Sequence, residues 1–365
     1  MTKLKYRKCL DNIASYTPAK SLESLKQEYG LDNIIKLAAN ENNLGFSPLV
    51  ETAIHNAIKD IFLYPDMFCT KLRSKLTQIH NIKENQLIFG NGSFELLSLV
   101  AQAFISPGEE SIIPIPSFGW YINATLSMDG VVIRVPLKNH SIDLENIKSK
   151  ITDKTSVIWI CNPNNPTGTI LSKKQLEDFL VTIPTDVIIV LDEAYYEYIN
   201  DVSNLDTISL IEKYPNIIIL RTFSKIHGLA SLRIGYGIAA PEVISILNKV
   251  RLPININALA QVAALASLDD LEFKQKVLTN NINGKDLLIK LFNELNLDFI
   301  PSQTNFIMVN VKKDSTLVFN ELLKKGISIR PGLEFGMPTW LRITIGRPEE
   351  NLELCKKLKE VLNSI

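Results

Sequence analysis

Val187-Ile188-Ile189-Val190-Leu191-Asp192-Glu193-Ala194-Tyr195 is the stretch that decides the fold. Its apolar, mostly β-branched part runs without a polar break, too short for a buried helix and too continuous for a strand with one wet face. Such a run suits a strand buried on both faces, the kind found in parallel α/β sheets. The same texture recurs at Gln86–Gly90, Ser111–Ile115, Val131–Val135, Ser156–Cys161, Ile217–Arg221 and Ile234–Ala239. Helical patterns such as Ser93–Phe104 and Ser172–Leu180 separate many of them. The expected class is therefore α/β with a mostly parallel sheet.

From about residue 260 the pattern changes to longer amphipathic helices with strand candidates Asn305–Val311, Ile327–Arg330 and Leu341–Ile345, which suggests a smaller α+β unit. The first 40 residues carry Pro18 and a helix-like Ser21–Tyr29 but no buried strand run, too little to fold alone. A chain of 365 residues accommodates two domains. The expected division is an arm over 1–40 packing on the small domain or a partner subunit, a large domain over 41–258, and a small domain over 259–365.

Composition narrows the function. Lys plus Arg and Asp plus Glu both number 39, so no net charge draws the chain to nucleic acid or to an anionic membrane. No apolar run is long enough to span a bilayer, and no signal-peptide pattern follows the basic start, so the expected location is cytoplasmic. Cys9, Cys69, Cys161 and Cys355 are scattered, as are the four histidines, which fits a reducing compartment and gives no metal-ligand cluster.

Candidate chemistry collects at the ends of the predicted strands, where open α/β sheets build their sites. Asp192 closes a hydrophobic strand and needs a cation if it is buried. Cys161-Asn162-Pro163-Asn164-Asn165-Pro166-Thr167-Gly168 follows another strand, its prolines and glycine fixing the backbone around Asn165. Arg221-Thr222-Phe223-Ser224-Lys225 leaves a third, with Arg233 eight residues on. In Phe89-Gly90-Asn91-Gly92-Ser93-Phe94 a strand passes into a helix whose first amides can hold an anion. Taken singly, each has a plainer reading as a helix cap, a turn, a solvated lysine or a surface arginine. Taken together they match pyridoxal phosphate: a lysine for its aldehyde, a carboxylate for its pyridine nitrogen, an amide and a tyrosine for its phenolic oxygen, and an arginine and a serine for its phosphate.

These residues resemble the fold-type-I pyridoxal-phosphate-dependent aminotransferases, and more narrowly the histidinol-phosphate aminotransferases. The resemblance also takes in Tyr16-Thr17-Pro18-Ala19-Lys20, Leu37-Ala38-Ala39-Asn40-Glu41-Asn42, Leu63-Tyr64-Pro65-Asp66 and Leu341-Arg342-Ile343-Thr344-Ile345-Gly346. It implies a seven-stranded large-domain sheet, with Lys225 carrying the cofactor covalently. Asp192 would pair the ring nitrogen, Asn165 and Tyr195 the phenolic oxygen, and Ser224, Arg233, Ser93 and Phe94 the phosphate. Phe118 would stack on the ring. Tyr64 would cross to the partner's phosphate in a homodimer with shared sites. Arg342, Arg330, Asn40 and the partner's Tyr16 would bind substrate. Asn43, Phe94 and Trp120 depart from the family pattern.

The implied reaction is transamination of histidinol phosphate with 2-oxoglutarate, giving imidazole acetol phosphate and glutamate, a step of histidine biosynthesis. The competing readings are an aromatic-amino-acid or related aminotransferase, a phosphothreonine-type decarboxylase and a non-catalytic ligand sensor.

Overall fold

The computed structural model describes residues 4–13, 21–200 and 206–365. Its strands are β1 Ile35–Lys36, β2 Leu87–Gly90, β3 Glu110–Ile115, β4 Val131–Pro136, β5 Thr155–Cys161, β6 Ile188–Asp192, β7 Ile217–Thr222, β8 Gly235–Ala239, β9 Asp298–Ile300, β10 Phe306–Asn310, β11 Ile327–Ser328, β12 Arg330–Pro331 and β13 Trp340–Thr344. Seven of them form one sheet in the order β2-β8-β7-β6-β5-β3-β4. Only β8 runs against its neighbours.

The central strands β5, β6 and β7 are buried along almost their whole length. Each Ile, Val or Leu withdrawn from water on both faces contributes about 1.5–3 kcal/mol. The helix Ser93–Phe104 covers the sheet with Leu96, Leu97, Leu99, Val100 and Ala101. The helix Lys173–Leu180 starts from a reciprocal cap between Ser172 and Gln175 and buries Leu176, Phe179 and Leu180. All seven expected large-sheet strands are present, with ends within a residue of the reading.

The register aligns the functional ends. Cys161 lies beside Asp192, and Asp192 beside Leu220, so the segments leaving β5, β6 and β7 emerge at one edge. Gly235 faces both Thr222 and Gly90, which brings the start of β8 and the end of β2 to that same edge.

The smaller C-terminal domain has an antiparallel sheet in the order β12-β13-β10-β9. The helices Leu271–Glu294, Ser315–Lys324 and Pro348–Ser364 surround a core that includes Leu288, Phe292, Ile307, Leu341, Ile343 and Leu354. The helix Ala258–Ser267 lies beyond residue 258, yet Ala260, Ala263 and Ala264 sit in the large core.

Two details differ from expectation. Ile327–Arg330 is not one strand: β11 pairs with β1, whereas β12 pairs with β13. Pro331, lacking an N–H, helps to end the second ladder early. The first 40 residues do contribute a strand, the two-residue β1, and Leu37 joins the small-domain core. Among the described residues no helix is long and apolar enough to cross a membrane.

Candidate active site

Asp192 is only 4% exposed. Its Oδ2 accepts a hydrogen bond from the Tyr121 hydroxyl at 2.8 Å, and its Oδ1 accepts from the Ala194 amide at 3.2 Å. Burial pushes its pKa up, while these donors and the positive charge of Lys225 pull it down. The carboxylate keeps lone pairs free for a cation, and none of its neighbours on β5 or β7 supplies one.

Lys225 lies at the edge shared by these strands. Its Nζ donates to the Ala39 carbonyl at 3.3 Å and stands 5.6 Å from the centre of the Tyr195 ring. Burial, reinforced by the charges of Arg342 and Arg233, lowers its pKa to about 8. Tyr195 stands edge-on against Phe306, and its hydroxyl accepts from Asn40 Nδ2 at 2.9 Å. Asn40 is held with φ 56° by Thr344 and Asn305. Burial pushes the Tyr195 phenol up to about 12.

Asn165 accepts at Oδ1 from Arg342 Nη1, 2.7 Å away. That bond orients the amide and leaves its NH2 end able to donate. Arg342 Nη2 donates to the Ala38 carbonyl at 2.7 Å, and the guanidinium lies near the faces of Phe306 and Phe335. Arg342 is 7% exposed, and its Nε has no partner among the described residues. Arg330 lies directly across from Arg342 in the β12–β13 ladder and pairs with Glu334. Like charges placed opposite each other in a ladder repel; Glu334 offsets the charge of Arg330, while Arg342 keeps an N–H able to meet an anion.

A second polar corner forms where β2, β7 and β8 meet. Gly92, at φ +74°, caps the helix Ser93–Phe104, and a Cβ on it would sit 2.5 Å from Arg233 Nη2. A Cβ on Gly235 would sit 2.4 Å from the Ser93 amide nitrogen. Both glycines are therefore required for the helix start and Arg233 to approach each other. Thr222 ties down Ser224 by accepting from its amide at 3.1 Å, beside Gly235 in the ladder. Helix-start amides, an arginine and a serine form a donor set suited to phosphate.

The structure thus brings Lys225, Asp192, Asn165, Tyr195, Asn40 and Arg342 to one cleft, with Ser93, Phe94, Ser224 and Arg233 at its corner. Phe118 lines the wall, edge-on to Tyr121 at 5.7 Å. The departures Phe94 and Trp120 pack on each other with ring centres 4.4 Å apart, so one accommodates the other. Asn43 donates to Glu350 and to the Lys36 carbonyl, tying down a loop. Tyr64 is 89% exposed and makes no side-chain hydrogen bond among the described residues. Tyr16 lies outside the described residues.

Sequence reasoning assigned no role to Tyr121, Thr344, Asn305, Phe306 or the Ala38 and Ala39 carbonyls. Tyr121 lies three positions beyond Phe118, but its contact with Asp192 spans 71 positions. Local pattern carries no sign of such a contact. On the opposite face of the sheet, Arg221 and Glu193 form a buried ion pair at 2.8 Å beside a cavity of about 660 Å³.

Comparison with known proteins agrees with this geometry. Residues 32–358 match the model of the class I and II aminotransferases. A histidinol-phosphate aminotransferase of Caldicellulosiruptor saccharolyticus is 48% identical over 98% of this chain and 100% of its own. Histidinol-phosphate aminotransferase 2 of Carboxydothermus hydrogenoformans is 43% identical over 98% of this chain and 99% of its own. The crystal structure of histidinol-phosphate aminotransferase from Sinorhizobium meliloti, in complex with pyridoxal-5'-phosphate, superposes with a TM-score of 0.91 at 26% identity, covering 99% of this chain and 98% of that one. A cleft of this construction, on a chain with relatives this near, belongs to the class I and II aminotransferases, and within them to the histidinol-phosphate aminotransferase family.

Proposed function

We propose that this enzyme transaminates histidinol phosphate with 2-oxoglutarate, using pyridoxal 5'-phosphate and forming imidazole acetol phosphate and glutamate in histidine biosynthesis. The residues present suit the cofactor. A buried carboxylate with spare lone pairs suits a cationic ring nitrogen, and Gly92 and Gly235 let the helix-start amides and Arg233 converge into a donor set for a phosphate. The bound cofactor supplies an electron sink for charge developing at the substrate's α-carbon.

The protein's own groups do the rest. Lys225, with a pKa near 8, has a substantial neutral fraction near neutral pH and is suited to take and return the α-proton. Asp192 holds positive charge on the ring nitrogen. Asn165 and Tyr195 hold the phenolic oxygen, and Ser93, Phe94, Ser224 and Arg233 hold the phosphate. Phe118 fixes the ring plane, and Asn40 steadies Tyr195 beside the substrate. Arg342 and Arg330 hold the anionic end of the substrate.

The observation that carries this reading is buried Arg342, bound to Asn165 beside Lys225 and with an Nε that has no partner among the described residues, a cationic site suited to an anionic substrate group, with Arg330 across the ladder. The test is kcat/KM for histidinol phosphate against phenylalanine, each with 2-oxoglutarate. A preference of about 10⁴-fold for histidinol phosphate is expected, of the order lost when a built polar site goes unfilled. An equal or reversed ratio sinks the assignment, and release of carbon dioxide moves the chain to the decarboxylases.

The working form in this proposal is a homodimer in the cytoplasm. Exposed Ile58, Ile61, Phe62, Leu63, Tyr64 and Phe68 supply an apolar surface for a second copy. Tyr64 would reach the partner's phosphate, and Tyr16 of the arm the partner's substrate. The four cysteines, all free, suit a reducing compartment. The proposed arm covers 1–40, with Ile35–Leu37 lying on the small domain. The large unit extends past 258 through the helix Ala258–Ser267, and the small domain follows from there.

A further inference from the structure

We propose that Tyr121 is a positioning residue: its hydroxyl keeps Asp192 charged and aimed, and its ring sets the wall on which the cofactor rests. The inference rests on the cofactor reading above and goes beyond it by naming what holds the carboxylate. Tyr121 is fully buried at the start of the helix Trp120–Ser127. Its ring stacks on Trp159 of β5, with centres 5.1 Å apart and planes 11° apart. That stack fixes where the hydroxyl points, and the hydroxyl donates to Asp192 Oδ2 at 2.8 Å. The same ring meets Phe118 edge-on at 5.7 Å and 77°. One side chain therefore touches both the carboxylate that would face the ring nitrogen and the phenyl that would face the ring plane.

A packing role alone does not call for the hydroxyl, since phenylalanine would fill the same space. The need for it comes from Asp192. A carboxylate this deep tends to take up a proton, and a neutral carboxyl no longer offers charge to a cationic ring nitrogen. Each of its oxygens instead receives one donor, the Ala194 amide on one side and Tyr121 on the other. Burial holds the phenol well above its ordinary pKa, so it remains a donor throughout the working pH range. Removing the hydroxyl leaves Ala194 as the remaining hydrogen-bond donor to this carboxylate among the described residues, raises the pKa of Asp192, and moves the acid limb of cofactor binding to higher pH.

The test uses full-length enzyme stripped of cofactor and titrated with pyridoxal phosphate from pH 5 to 9, following protein fluorescence. Tyr121→Phe is expected to bind about 10- to 100-fold more weakly than wild type, the loss associated with a hydrogen bond to a charged group, and more weakly still at low pH. Asp192→Asn also binds weakly, and adding Tyr121→Phe to it should change affinity by no more than about twofold, because the hydroxyl then has no charge to serve. Trp159→Phe, which loosens the stack and keeps the hydroxyl, should leave the acid limb in place.

The inference is overturned if Tyr121→Phe binds like wild type with an unmoved acid limb, if it weakens the Asp192→Asn enzyme as much as it weakens wild type, or if Trp159→Phe alone shifts the limb. A wild-type protein that takes up no pyridoxal phosphate removes the underlying cofactor reading, and this inference with it.

Discussion

Replacing Arg221 with methionine should cost stability in a way that depends on pH. Arg221 and Glu193 are 4% and 0% exposed, joined by Nη2–Oε2 at 2.8 Å and Nε–Oε2 at 2.9 Å. The guanidinium also covers the Tyr196 ring at 3.6 Å. The pair links the residue after Asp192 to the strand that leads to Lys225, so it holds the two functional edges in line.

Methionine fills much of the volume and leaves the Glu193 carboxylate buried without its cation. Breaking a buried pair in this way costs about 3–5 kcal/mol. Coulomb's law at an effective dielectric of about 20 gives roughly 4 kcal/mol for charges 4 Å apart, the same size. The pH sign follows from Glu193, whose pKa burial already raises and Arg221 lowers. Without Arg221 the folded-state pKa rises further above the unfolded value of about 4.3, so the native state binds the proton more tightly. The charge penalty is then absent below about pH 4.3 and grows as pH rises towards the folded pKa.

Urea unfolding of the cofactor-free protein at pH 5 and pH 8 measures this. The deficit of Arg221→Met should be full at pH 8 and clearly smaller at pH 5. The double variant Arg221→Met, Glu193→Gln should recover much of the loss. A deficit under about 1 kcal/mol, or one equal at the two pH values, would refute the reasoning, as would a double variant no better than the single.

Gly235→Ala pushes a methyl to within 2.4 Å of the Ser93 nitrogen and 2.9 Å of the Arg221 carbonyl oxygen, backbone atoms with little room to give. Affinity for pyridoxal phosphate, measured by fluorescence titration, should drop at least tenfold while the far-ultraviolet circular dichroism stays unchanged. In the cofactor-free enzyme, the reaction of Lys225 with an amine-directed reagent, followed by peptide mass spectrometry, should have its midpoint near pH 8. Because burial and Arg342 disfavour the ammonium form, a midpoint above 10 would contradict the described environment.

The large sheet was legible because most of its strands, β6 and β7 above all, carry continuous apolar runs bounded by polar or turn residues, a pattern that local physics produces. The short strands were not: Ile35–Lys36 and Asp298–Ile300 are too brief to show any period. The ends of β5, β6 and β7 marked Asn165, Asp192 and Lys225, since parallel order alone brings strand ends together. What stayed hidden depends on register and distant contacts. Arg330 and Arg342 come opposite each other only through the β12–β13 pairing, and Arg342 meets Asn165 across 177 positions. The bulky Phe94 and Trp120 looked like separate intrusions until their rings were found packed together.

The central claim is that Lys225 is the residue to which pyridoxal phosphate becomes joined. Reducing the loaded enzyme with borohydride and mapping its peptides tests this directly. The account predicts the phosphopyridoxyl mass on the peptide that contains Lys225, and its loss in Lys225→Ala. The same mass on a different lysine, or its persistence in the Lys225→Ala enzyme, would contradict the account.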